Sequence, residues 1–243
     1  MRVKGIFFDL GGTLFSYTGR QGGNGIGYLL KAAQLRLEPQ QIGAAWGKAS
    51  ALVGARYGAM PYFLHKDLFR ETATAFLAEF DREVDAAIFE EFHQRQLQGM
   101  LQHLPIRDDC HATLAALGSR GIYRSIVSNI DDDYLDPLVE LHNLDQHLEH
   151  WTSSEEAQSC KPDPDIYHYC LGKSGLGIEE VLFVGDSLHH DVAGAAKVGM
   201  RSVRIYEDGV ATPLTHGLEV TAQPTYQIGT LSELLAIVDE LNG

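Results

Sequence analysis

Cysteine is scarce in this sequence: Cys110, Cys160 and Cys170 are the only three in 243 residues. An odd, sparse set makes no disulfide framework, and the lack of a Cys-x-x-Cys pair removes a common zinc spacing. The expectation is a reduced, cytoplasmic protein. Positive charge is also short, with 19 Lys and Arg against 33 Asp and Glu and a net charge of −14. Nucleic acid and anionic membranes are bound mainly through Lys and Arg, so neither is an expected partner. No window approaches the about 18 consecutive apolar residues that suggest a membrane span. The opening apolar run, Val3 to Phe8, is too short for a secretion signal and has no cleavage-type tail. The glycines at 19, 22, 23, 25 and 27 lack phosphate-loop spacing and no Gly-Lys-Ser/Thr follows them. They read as a flap or hinge. Internal repeats and low-complexity segments are also missing.

What is present is a chain 44% hydrophobic, long enough for a core plus an accessory domain. Residues 3–9 form a short apolar run closed by Gly11-Gly12, the pattern of a buried strand. Residues 15–27 read as a loop. From about 26 to 102 the apolar spacing is helical, as in Leu29, Leu30, Ala33 and Leu37, or Phe69, Ala73, Phe76 and Phe80. About four helices fit, with breaks near Glu38-Pro39, Gly58 to Pro61, and Asp81 to Glu83. After Pro105 helices and strands alternate. Helices are expected over about 108–118, 132–143, 164–175, 189–198 and 231–241. Strands are expected over 123–127, about 148–152, 181–184 and 201–205. This rhythm implies βαβ units and a parallel sheet. The fold class is therefore α/β, a Rossmann-like core (1–16 and 104–243) with an all-helical domain (17–103) inserted after the first strand.

Ligands of such sheets bind beyond the carboxyl ends of the strands. The first strand ends in Asp9-Leu10-Gly11-Gly12-Thr13, and strand 123–127 ends in Ser128-Asn129. Strand 181–184 ends in Gly185-Asp186-Ser187, with Asp191 five residues past Asp186. Lys161 precedes a helix in Lys161-Pro162-Asp163-Pro164-Asp165. Carboxylates and a hydroxyl thus gather at one sheet edge. Each piece alone has a plainer reading: Asp9 as a turn residue, Asp186 as part of a helix start, Lys161 as a surface lysine.

In this order the four motifs resemble those of the haloacid dehalogenase superfamily over nearly the whole core, and the helical block resembles that superfamily's cap. The resemblance implies Asp9 as nucleophile, with Ser128 and Lys161 beside it in the catalytic set. It implies Mg²⁺ held by Asp9, the Gly11 carbonyl, Asp186 and Asp191. Gly12, Thr13, Ser128, Asn129 and Lys161 would hold the phosphate. A carboxylate attack forms an aspartyl-phosphate, splitting one hard displacement into two easier ones. The implied activity is a phosphatase of a small phosphorylated metabolite.

Gly11 departs from the pattern. Phosphatases of this superfamily place there the Asp that serves as general acid and base, a function worth roughly 10²–10⁴-fold in rate. A cap side chain or a water could act in its place. Three alternatives stay open: a metal-independent 2-haloacid dehalogenase, a phosphonate-cleaving relative using a cap lysine (Lys31, Lys48 or Lys66), and a weak or non-enzymatic binding protein. Tyr17, Arg20, Trp46, Arg56, Tyr57, His65 and Lys66 are candidate substrate contacts, although packing or exposure is the plainer reading for each. His189 and His190 are adjacent on a helix and read as exposed or rim-lining residues. Asp131 to Asp133 read as favourable charge at a helix start.

Overall fold

The computed structural model describes residues 2–18, 25–207 and 221–243. It divides into two compact units, residues 1–20 with 105–243, and residues 21–104. Gly19, Arg20, Gly22 and Gly23 lie outside the described residues.

The first unit is an α/β core. Strands β1 (Gly5–Phe8), β2 (Tyr123–Ser128), β3 (His150–Ser153), β4 (Val181–Gly185), β5 (Arg201–Ile205) and β6 (Tyr226–Ile228) form one parallel sheet in the order β3-β2-β1-β4-β5-β6. Every residue of β1 and β4 is buried, which accounts for their unbroken apolar sequences, GIFF and VLFVG. The register sets Phe7 beside Ser125 and Phe183, and Phe8 beside Ile126 and Val184. From β1 the strand order runs outward in both directions. The crevice at the carboxyl ends of β1, β2 and β4 is the place where such a sheet binds ligands.

The second unit is all helix: α1 (Gly25–Ala32), α2 (Pro39–Tyr57), α3 (His65–Ala78) and α4 (Ala86–His103). Its breaks have local causes. Glu38 caps α2 with Gln41 in a capping box, and Pro39 sits at the first helical position. The Asp85 side chain accepts the Ile88 N–H at 3.0 Å at the start of α4. Apolar stripes on the four helices meet, with Trp46 packed 5.5 Å from Phe76 and 6.3 Å from Phe92, ring centre to ring centre.

In the core unit the remaining helices are α5 (Cys110–Ser119), α6 (Asp132–Leu141), α7 (Ser154–Ala157), α8 (Pro164–Ser174), α9 (Gly194–Lys197) and α10 (Leu234–Asn242). Phe7, Val127 and Phe183 of the sheet pack against Ile166, Tyr167 and Cys170 of α8 and against Ala195 of α9. The start of α8 follows from its sequence. Pro164 takes the first helical position, and the Asp163 side chain accepts the Asp165 N–H at 3.0 Å. Two expectations are corrected here. The helix expected over 189–198 is a π-helical turn, Leu188–Ala193, followed by the short α9. The loop expected over 15–27 ends sooner than expected, because α1 begins at Gly25. The strand β6 and the short helix α7 were not expected.

Candidate active site

Four sequence motifs come together at the carboxyl edge of the sheet. Asp9 follows β1, and its backbone N–H donates to the Val184 carbonyl at 2.8 Å, which continues the ladder past the strand. Lys161 stands between two carboxylates. Its Nζ donates to Asp9 Oδ1 at 2.6 Å and to Asp191 Oδ1 at 2.7 Å, and the lysine is only 3% exposed. The same ammonium lies 5.2 Å from the centre of the Phe183 ring. The other Asp191 oxygen accepts the Ser187 N–H at 2.9 Å, so that carboxylate is held at both ends. Asp186 completes an acidic cluster: one carboxylate oxygen each from Asp9, Asp186 and Asp191 lie within 4.8 Å of one another.

The electrostatics follow from this crowding. Burial pushes the Asp9 carboxyl up, the Lys161 ammonium pulls it down and Asp191 pushes it up again, leaving it at about 6. Burial works against the Lys161 charge, but Asp191 and Asp9 together outweigh it and hold the lysine above its ordinary value. Three carboxylates against one ammonium leave an excess of negative charge. Hard oxygen donors in this number and spacing suit a hard divalent cation such as Mg²⁺. The residues present therefore fit that ion.

The family model of haloacid dehalogenase-like hydrolases matches residues 3–199. The chain belongs to the haloacid dehalogenase-like hydrolases. Among curated relatives, it is 31% identical over 144 residues to (S)-2-haloacid dehalogenase 4A of Burkholderia cepacia, covering 57% of this chain and 58% of that one. It is 26% identical over 215 residues to a phosphoglycolate phosphatase of Yersinia pestis, covering 86% of each. The chain spans 53 to 58% of the length of several curated relatives it matches. Among solved structures, the magnesium-bound HAD hydrolase YfnB of Bacillus subtilis superposes with a TM-score of 0.76 at 19% identity, covering 98% of this chain and 100% of that one. That last likeness concerns the fold.

Within this hydrolase core the residues singled out from sequence take different positions. Ser128 ends β2 and is buried. Asn129 has a task that sequence did not show. Its Nδ2 donates to the Lys161 carbonyl at 2.7 Å and its Oδ1 accepts the Lys161 N–H at 2.6 Å, so it fixes the backbone of the lysine. The second Nδ2 hydrogen makes no hydrogen bond among the described residues. Thr13 was expected among the phosphate-binding groups, but its side chain is fully buried and its hydroxyl points at Asp9 Oδ2, 3.5 Å away. Gly12 has a φ of +77°, and a side chain there would run into the Asp186 carboxylate. His189 and His190 are half-buried and stack edge to face, with ring centres 5.0 Å apart. The Tyr167 hydroxyl donates to the His190 carbonyl at 2.5 Å, which tethers the turn bearing Asp191.

Sequence reasoning missed Arg107 and Glu207. The Arg107 guanidinium donates to the Thr13 carbonyl at 2.8 Å and to the Gly12 carbonyl at 2.8 Å, and pairs with Glu207 at 3.1 Å. Glu207 also accepts from the Ser16 hydroxyl at 2.7 Å. Arg204 Nε donates to the Asp186 carbonyl at 3.2 Å. The Arg107 and Glu207 contacts hold the loop that follows Asp9 and the Arg204 contact the turn after β4, and no local sequence signal announces them.

Proposed function

We propose that this protein is a Mg²⁺-dependent phosphatase of a small phosphorylated metabolite, working through an aspartyl-phosphate on Asp9. One observation carries the reading: one carboxylate oxygen each from Asp9, Asp186 and Asp191 lie within 4.8 Å of one another, with the Lys161 ammonium bonded to two of the three residues, Asp9 and Asp191. A carboxylate displacing halide from carbon has no use for this surplus of negative charge. A carboxylate attacking a phosphate dianion needs a cation to bring the two anions together. Mg²⁺, held by Asp9, Asp186 and the Gly11 carbonyl with Asp191 close by, would supply that offset.

The protein's own groups then divide the work. Asp9 attacks phosphorus, and Lys161 offsets the charge of the nucleophile and of the transferring group. Ser128, the remaining Asn129 N–H and the backbone N–H groups after Asp9 hold the phosphate oxygens. Asn129 and Asp191 keep Lys161 in place. The helical unit is read as the cap that selects the substrate. Cys110, Cys160 and Cys170 are buried and form no disulfide, which suits a reducing, cytoplasmic setting. Among the described residues no helix is long and apolar enough to cross a membrane.

A second reading, a metal-independent 2-haloacid dehalogenase, is favoured by the Burkholderia relative's name and by the missing acid at Gly11. The two separate in one assay. The phosphatase reading expects phosphate release from a panel of phosphorylated metabolites with Mg²⁺, abolished by chelator and by Asp9→Asn. Halide release from 2-chloropropionate in chelator, unaffected by Asp186→Asn, would replace it with the dehalogenase reading.

A further inference from the structure

Gly11 has no side chain where the family's phosphatases carry their acid and base, yet the space above it is filled. The atom nearest to where a Gly11 side chain would begin is the Tyr17 hydroxyl oxygen, and the ring carbon bearing it lies 3.1 Å from that point. The same ring crosses Gly12, with Cε2 2.9 Å from where a Gly12 side chain would begin. Tyr17, Gly12 and Asp186 line one small cavity with Arg204, Tyr206 and Glu207. A polar hydroxyl therefore stands over the residue two places beyond the nucleophile, in the cavity that also holds a carboxylate of the acidic cluster.

The loop bearing Tyr17 is fastened on both sides. The Phe15 N–H donates to the Leu10 carbonyl at 3.0 Å and the Ser16 N–H to the Pro105 carbonyl at 2.9 Å. The Ser16 hydroxyl accepts the Thr18 N–H at 2.9 Å while donating to Glu207.

We propose that the Tyr17 hydroxyl is the proton donor and acceptor of the reaction, replacing the side chain that Gly11 lacks. The inference rests on the phosphatase reading. In the first step the bond from Asp9 Oδ to phosphorus forms, the bond from phosphorus to the leaving oxygen breaks, and that oxygen takes the Tyr17 proton. The leaving alkoxide is a strong base and takes the proton from the hydroxyl that stands over Gly11. In the second step water attacks phosphorus and gives its proton back to the Tyr17 oxygen. The bond to Asp9 breaks, and phosphate and the original tyrosine are restored. Arg204 supplies a positive charge to the same cavity, beside the carboxylates of Asp186 and Glu207. Glycine at position 11 is then a requirement, because any side chain there displaces the hydroxyl.

The test compares two leaving groups. Phosphoglycolate releases an alkoxide that must be protonated, whereas p-nitrophenyl phosphate releases a phenolate that need not be. Tyr17→Phe is expected to lower phosphoglycolate turnover by roughly 10²–10⁴-fold. With p-nitrophenyl phosphate it is expected to give a first equivalent of nitrophenolate within about tenfold of the wild-type rate, followed by a stall, because the phosphoryl group stays on Asp9. Gly11→Ala, which pushes the hydroxyl aside with Tyr17 intact, should give the same selective loss and carries the test if Tyr17→Phe does not fold. Wild-type rates on both esters in both variants, or equal losses on both esters, would overturn the role of Tyr17. A wild-type protein that releases phosphate from neither these esters nor the metabolite panel would overturn the phosphatase reading itself.

Discussion

Replacing Lys161 by methionine gives a graded test of the site's electrostatics. Methionine keeps most of the volume but removes the ammonium that bonds Asp9 at 2.6 Å and Asp191 at 2.7 Å. The carboxylate oxygens of the cluster lie within 4.8 Å of one another. At an effective dielectric constant near 20, two like negative charges at that distance repel by about 3 kcal/mol. Breaking a buried ion pair by deleting one partner typically costs about 3–5 kcal/mol. The cost should depend on pH. The Asp9 carboxyl stands at about 6 in the folded protein against 3.8 unfolded, so the folded state holds the proton longer. Its contribution to stability is most favourable at low pH and declines as pH rises through that window. Lys161, raised above 10.5, contributes stability throughout the range below that value. Without the lysine, Asp9 moves higher still. Urea unfolding in chelator should therefore show Lys161→Met losing about 3–5 kcal/mol at pH 8 and at least about 1 kcal/mol less at pH 5. Equal losses at both pH values would mean that the lysine contributes packing alone, and a loss below about 1 kcal/mol at pH 8 would refute the buried-pair argument.

Other expectations follow from the same geometry. Saturating Mg²⁺, at about 100 times its dissociation constant, should stabilise the protein by about 2.7 kcal/mol, a rise in melting temperature of roughly 5–10 °C, and Asp186→Asn should remove most of it in a thermal melt. Mg²⁺ affinity measured by calorimetry should weaken as pH falls through about 6, because the proton competes for Asp9. Arg107→Met removes two bonds to the Gly12 and Thr13 carbonyls and the Glu207 pair, and should cost about 3 kcal/mol in urea unfolding. Asn129→Ala should lower kcat roughly tenfold by freeing the Lys161 backbone, with the melting temperature nearly unchanged.

Much of this arrangement is legible in the sequence, for identifiable reasons. β1 and β4 are apolar runs that end abruptly in Asp9 and Gly185-Asp186, and β2 turns apolar in Ile126 and Val127 just before Ser128, so strand and site announce each other. The helical breaks at Pro39 and Asp85 carry their own capping chemistry. β6 is three residues long with an exposed Gln227 at its centre, too short for any periodicity. The π-helical turn after β4 arises because the Ser187 carbonyl accepts from both Asp191 and Val192 at 3.1 Å, while Ser187 N–H binds the Asp191 side chain. A hydrophobic pattern does not record such bonds. Arg107, Glu207 and the seat of Tyr17 over Gly11 depend on contacts between distant or irregular segments. Sequence could offer Tyr17 only as a candidate substrate contact.

The most direct test of the central claim is to find where the phosphoryl group goes. The protein is mixed with p-nitrophenyl phosphate and Mg²⁺, quenched in acid within a turnover, and mapped by peptide mass spectrometry. The account predicts a phosphoryl group on Asp9 that is absent in Asp9→Asn and in chelator. A phosphoryl group elsewhere, or an unmodified Asp9 that instead forms an ester with 2-chloropropionate in the absence of metal, would contradict it.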